Sequence, residues 1–221
     1  MDESSKVFHR SLFLDGPAGR LEALLWTTTQ PDPAMAALVC HPHPLFGGTM
    51  HNKVAFHAAK SLHALGLPVL RFNFRGAGLS EGEHDRGRGE LDDVRAALDF
   101  LVREFPRLPV VLAGFSFGSW VGLRVGSEDP RVTRLIGIGI PVNDSDFSYL
   151  RRSKKAKLFV VGTEDRFAER RRVEALVDSL DEPKRLVLVE GAGHFFNGKL
   201  DQLGRAIAQW MKDRNATGKQ S

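Results

Sequence analysis

A chain of 221 residues, 42% hydrophobic and 26% charged, carries enough apolar material for a substantial core, so a globular protein is expected. The net charge of +4 comes from 31 basic and 27 acidic residues, and the two basic clusters, Arg151-Arg152-Ser153-Lys154-Lys155 and Arg170-Arg171-Arg172, lack the aromatic or groove-reading motifs of a nucleic-acid binder. A lone cysteine, Cys40, excludes an intramolecular disulfide, and no apolar run approaches the roughly 20 residues that a membrane helix needs.

The N-terminal stretch MDESSKVFHR is polar and lacks the apolar centre of a signal peptide, so residues 1–6 are expected to be disordered and the protein cytoplasmic. Residues 7–14 and 20–27, joined by Asp15-Gly16-Pro17-Ala18-Gly19, predict an antiparallel strand pair at a sheet edge. Residues 35–40 form a short apolar run of the kind buried on both faces of a sheet. Val54, Ala58, Leu62 and Leu65 then share one helical face, closed by Gly66 and Pro68.

A strand over 69–74 leads into a loop rich in glycine and charge, 75–89. Leu91, Val94, Leu98, Leu101 and Phe105 recur at steps of three and four and predict a helix that ends at Pro106. Strands follow at 110–115, 134–140, 157–162 and 185–190. A helix follows the first of these to about Gly126, another carries Val173, Leu176, Val177 and Leu180, and the last carries Leu200, Leu203, Ile207 and Trp210. Residues 214–221 read as a polar tail beyond one domain spanning 7–213. Strands alternating with helices imply an α/β fold built on a mostly parallel, doubly wound sheet, whose ligand site lies beyond the carboxyl ends of the strands.

Residues placed just after those strands carry the chemistry. Gly114-Phe115-Ser116-Phe117-Gly118 sets one serine between two glycines where strand gives way to helix. Such a turn strains the serine backbone, lifts its hydroxyl clear of the sheet and needs glycines where side chains would collide. This is the G-x-S-x-G nucleophile elbow, and Ser116 is the candidate nucleophile. A serine hydroxyl needs a base, and His194, flanked by glycines after the last strand, is placed to supply one. The base needs an orienting carboxylate; Asp165 after strand 157–162 is preferred to Glu164, with Asp144 and Asp146 as a fallback pair. The chain order Ser116, Asp165, His194 is that of a triad on such a sheet. Two backbone N–H groups should meet the developing oxyanion: Phe117 and, from the loop CHPHPLFGGTMHNK, His43 or alternatively Leu45.

The stretches HPHPLFGGTMHNKV, VLRFNFRGAGLSEG and LAGFSFGS together resemble the α/β-hydrolase fold, and within it small, lidless bacterial hydrolases related to dienelactone hydrolases and CocE/NonD-type hydrolases. The resemblance runs from about residue 7 to 212. It implies carboxylic-ester hydrolysis through Ser116, His194 and Asp165 without a metal or organic cofactor. About sixteen residues, PVNDSDFSYLRRSKKA, separate strands 134–140 and 157–162, too few for a lid subdomain. An open pocket is therefore expected, walled by His43, Leu45, Phe46, Phe117, Phe147, Phe195 and Phe196, for a small-molecule ester.

Thioesters and amides are chemically possible substrates of the same residues. Two rival readings are a non-catalytic binding module on the same fold, and a metal-dependent hydrolase using His41, His43 and His51. The latter is short of donors, because no Asp or Glu falls between residues 33 and 80. An exposed edge strand at 7–14 or a peripheral helix could support a homodimer; neither a nucleic-acid nor a membrane partner is expected.

Overall fold

The short runs rich in Val, Leu, Ile and Phe form strands in a computed structural model that describes residues 7–28 and 32–213. The expected disordered start and polar tail, 1–6 and 214–221, lie outside the described residues. In chain order the elements are β1 (Val7–Gly16), β2 (Gly19–Thr28), β3 (Ala36–Cys40), α1 (Lys53–His63), β4 (Val69–Phe72), α2 (Arg88–Glu104), β5 (Val110–Phe115), α3 (Phe117–Glu128), β6 (Val132–Ile138), β7 (Ala156–Gly162), α4 (Arg170–Asp178), β8 (Lys184–Val189) and α5 (Leu200–Lys212). Two short 3-10 turns, Pro44–Phe46 and Ser148–Arg152, have no counterpart in the periodicity of the sequence.

The eight strands form one sheet in the order β1-β2-β4-β3-β5-β6-β7-β8. From β4 to β8 every pair is parallel, whereas β1–β2 and β2–β4 are antiparallel. The edge hairpin is thus extended onto the parallel sheet through β4. Cys40 pairs with Gly114 and Phe115 with Ile138, so the carboxyl ends of β3, β5 and β6 meet at one rim.

Alternation along the strands divides the core in two. Leu38, Leu112 and Leu135 face Val94 and Leu98 of α2, Val121 of α3 and Val173 of α4. Val39, Val111 and Ile136 face Val54 and Ala58 of α1 and Leu203, Ile207 and Trp210 of α5. Helices therefore cover both faces, as a parallel sheet with no polar face requires. Among the described residues no helix is long and apolar enough to cross a membrane.

The segment Arg71-Phe72-Asn73-Phe74-Arg75 breaks the apolar habit of the core, yet all five residues are buried. Phe72 and Phe74 belong to the α2–α3 side. The Arg71 guanidinium lies 4.3 Å from the Trp26 ring centre and 5.3 Å from that of Phe56, and donates to the Met50 carbonyl at 2.6 Å. Burial pushes its pKa down to about 10. Asn73 accepts from the Met50 N–H at 2.7 Å and donates to Glu22 at 2.6 Å. Arg75 forms a forked pair with the buried Asp93, closest at 2.7 Å.

His41 completes this anchorage from the other side: its Nδ1–H donates to the Pro42 carbonyl at 2.6 Å, and its Nε2 accepts from the Phe74 N–H at 2.9 Å. A neutral imidazole satisfies both bonds in one tautomer only, and burial holds its pKa down at about 3. The loop after β3 is therefore held to β4 by side chains rather than by regular strand pairing.

Between β5 and α3 the chain turns at Ser116 with φ of 53° and ψ of −121°. Two glycines make the turn sterically possible. A Cβ on Gly114 would lie 2.2 Å from the Gly118 carbonyl oxygen, and one on Gly118 would lie 2.3 Å from that of His41. Both obstacles are backbone atoms, which cannot swing aside.

Gly118→Ala is accordingly expected to destabilise the fold by about 3 kcal/mol or more, the upper end of ordinary overpacking. An unchanged urea midpoint would refute the close approach. A second expectation concerns acid. His41 binds a proton near pH 6.5 when unfolded but near 3 when folded, so its contribution is complete above pH 6.5 and is lost as the pH falls. One group of this kind changes stability by about 1.4 kcal/mol per pH unit. In urea titrations between pH 6 and 4, His41→Gln should flatten the decline of stability by about that slope.

Candidate active site

The elbow places the half-buried Ser116 at the rim where β3, β5 and β6 end. Two further loops reach it. The turn after β7 closes with the Asp165 N–H donating to the Gly162 carbonyl at 3.2 Å, which buries the Asp165 side chain completely. Its Oδ1 accepts from the Phe167 N–H at 2.9 Å, leaving Oδ2 to accept from His194 Nδ1 at 2.8 Å. The neighbouring turn after β8 is tied to the same loop by Glu164 N–H to the Ala192 carbonyl, 2.9 Å, and Gly191 N–H to Thr163 Oγ1, 2.9 Å.

His194 Nε2 lies 2.9 Å from Ser116 Oγ. A carboxylate can only accept, so Nδ1 carries a hydrogen and the lone pair of Nε2 faces the serine hydroxyl. The ring is fixed from several sides, with centres of Phe115, Phe167 and Phe195 at 4.9, 4.7 and 5.2 Å. Gly139, at φ of 51°, leaves the remaining room; a Cβ there would approach the imidazole to 3.3 Å. Ser116, His194 and Asp165 thus form one hydrogen-bonded chain from three loops, while Glu164 is exposed. Asp146 is engaged elsewhere, accepting from the Ser148 N–H and hydroxyl at 2.8 and 2.7 Å. Asp144 stands on the pocket wall.

The N–H of Phe117 opens α3 and has no partner within the helix, as expected of a first-turn amide. The His43 N–H has no backbone acceptor among the described residues. Leu45 does not suit the alternative role, because its N–H donates to His43 Nδ1 at 3.3 Å. The tight 3-10 turn imposes this geometry: Phe46 and Gly48 N–H groups both return to the His43 carbonyl, at 3.2 and 3.1 Å.

Around Ser116 lies a cavity of about 390 Å³ walled by Pro42, His43, Phe46, Phe117, Pro141, Phe167, His194 and Phe195. Three expected wall residues are elsewhere. Leu45 is 69% exposed and does not line the cavity. Phe147 is 2% exposed, drawn into the core beneath α3 by the 3-10 turn that follows it. Phe196 is wholly buried on the α1–α5 side. Phe167, by contrast, was not foreseen; its only trace in the sequence is its place two residues after Asp165, inside the turn that the acid caps.

His41, His43 and His51 do not converge. Both ring nitrogens of His41 are engaged, Nδ1 of His43 is engaged, and His51 is exposed. Among the described residues no group of three His, Cys, Asp or Glu side chains is arranged to hold a metal ion.

The family model for serine aminopeptidase, S33 (Hydrolase_4) matches residues 33–155. Among solved structures, an α/β serine hydrolase homologue from Coxiella burnetii is 36% identical, with a TM-score of 0.86 over 90% of this chain and 96% of that one. A lidless α/β serine hydrolase from Xanthomonas campestris is also 36% identical, with a TM-score of 0.82 over 95% and 94%. An uncharacterized protein of Rickettsia prowazekii is 36% identical over 209 residues, 90% of this chain and 87% of its own length. With its strand order, its elbow and the short connection from β6 to β7, the chain belongs to the α/β-hydrolase superfamily, in the serine aminopeptidase S33 (Hydrolase_4) family, and has the lidless serine-hydrolase architecture.

Proposed function

We propose that the protein is a serine esterase that cleaves small carboxylic esters through an acyl-enzyme intermediate. The observation that carries this reading is the continuous chain from Ser116 Oγ through His194 to the buried Asp165, at 2.9 and 2.8 Å. Each group then has one role. Ser116 Oγ attacks the ester carbonyl carbon as His194 Nε2 takes the hydroxyl proton, and the new carbon–oxygen bond leaves a tetrahedral oxyanion. Asp165 keeps the imidazole in the required tautomer and stabilises the imidazolium. The N–H groups of Phe117 and His43 receive the oxyanion. Collapse of the intermediate breaks the bond to the alcohol, which leaves with the proton held on Nε2. Water, deprotonated by the same nitrogen, then releases the acid and restores the serine.

The cavity supports a small substrate. At about 390 Å³ it lies near the lower end of the ~300–1,000 Å³ typical of small-molecule sites. Its walls are mainly aromatic and proline, and suit an apolar acyl or alkyl group.

A fluorophosphonate probe should label Ser116, and Ser116→Ala should lose both labelling and p-nitrophenyl ester hydrolysis while keeping its melting temperature. Equal hydrolysis by the two proteins would sink the esterase reading. Asp165→Asn should lower kcat by roughly 10³–10⁴-fold, since an amide favours the wrong imidazole tautomer. Glu164→Gln should leave kcat within twofold; the reverse ranking in initial-rate assays would reassign the acid.

A further inference from the structure

The geometry points to a second imidazole–carboxylate pair, His84 with Glu90, as a positioning unit for the oxyanion pocket; this inference rests on the esterase reading above. The loop 75–89 brings His84 against His43 and Phe117, two residues of the cavity wall. Glu90 is wholly buried on the first turn of α2, where it accepts from the Asp85 and Gly87 N–H groups, both at 2.8 Å. His84 Nδ1 lies 2.7 Å from Glu90 Oε1, with both side chains nearly inaccessible. The contact lacks the geometry of a directed hydrogen bond, so the imidazole abuts the carboxylate without donating to it.

From this anchor the His84 ring reaches both walls that carry the proposed oxyanion donors. Its centre is 4.6 Å from that of His43 and 5.5 Å from that of Phe117. The His43 and Phe117 rings are themselves 4.8 Å apart, so the three rings form one packed cluster. His43 has little freedom of its own, since its Nδ1 holds the Leu45 N–H. Helix capping alone would account for Glu90. It does not account for a nearly buried imidazole packed between the carboxylate and the two residues whose N–H groups face the scissile carbonyl.

A positioning role differs from a structural one in what it disturbs. Misplacing the donors weakens the transition state more than the bound ester, so kcat falls while KM holds. Removing an oxyanion donor outright costs roughly 10²–10³-fold in kcat, and loss of a brace should cost a fraction of that, about 10–50-fold. The test is initial-rate kinetics with p-nitrophenyl butyrate on the full chain, alongside inhibition by a trifluoromethyl ketone, which forms a tetrahedral oxyanion on the serine.

His84→Leu and Glu90→Gln should each lower kcat 10–50-fold with KM within twofold, and weaken the ketone in parallel. The double variant should be no worse than the poorer single one, as expected of residues acting as one unit. His84→Asn, whose amide keeps a polar group beside Glu90, should recover at least part of the loss, and Glu90→Gln decides the matter if His84→Leu does not fold. Unchanged kcat and ketone affinity in folded Glu90→Gln, and in His84→Leu where it folds, would overturn the inference and leave the esterase reading intact. A wild-type protein that neither hydrolyses the ester nor takes the fluorophosphonate would overturn both.

Discussion

Helix α3 approaches the end of β3 so closely that there is no room for a single methyl group between Gly118 and the His41 carbonyl oxygen. That contact fixes where the helix begins relative to the neighbouring strand. It holds Ser116 in a backbone conformation that most side chains avoid, with φ of 53°. It also brings two stretches of chain, 42–43 and 116–117, to one side of the same hydroxyl. A looser packing would let the serine relax towards an ordinary helix start, and the hydroxyl would drop back towards the sheet.

Strain of this kind persists only where its surroundings over-determine it. Here the surroundings are unusually polar for a core. Arg71 and Asn73 grip the two sides of the Met50 peptide, and His41 ties its own loop to the Phe74 N–H. None of these bonds belongs to a strand ladder or a helix. Buried hydrogen bonds are directional and costly to leave unmade, so they set a loop in one place where apolar packing would tolerate several. The stiffness of the serine side of the site comes largely from these side chains.

The sheet, its helices and the three loops that meet at Ser116 were legible because each has a local signal. Apolar runs of strand length, steps of three and four in the helices, and glycines around the elbow all report on near neighbours in sequence. Glu164 and Asp165 are adjacent and stand in the same chain order, so only the turn that buries one and leaves the other in solvent separates them. Other features had no such signal. Phe147 and Phe196 are aromatic residues beside functional loops, but the direction each takes is decided by a turn one residue away. His84 is a single histidine in a charged loop, and only tertiary packing brings it to His43. Leu45 is a reasonable donor by sequence distance; the 3-10 turn directs its N–H to the His43 ring, a matter of dihedral angles that residue types do not disclose.

On the proposed mechanism, the short passage from β6 to β7 also bears on what would follow acylation. With only a 3-10 turn in that interval and Phe46 85% exposed at the mouth, the described residues between β6 and β7 form no lid over the cavity. An acyl group on the proposed nucleophile would stay open to bulk water, which would compete there with any alcohol. Turnover of an ester would then need no cap to open, and discrimination among esters would rest on how each settles against the aromatic wall.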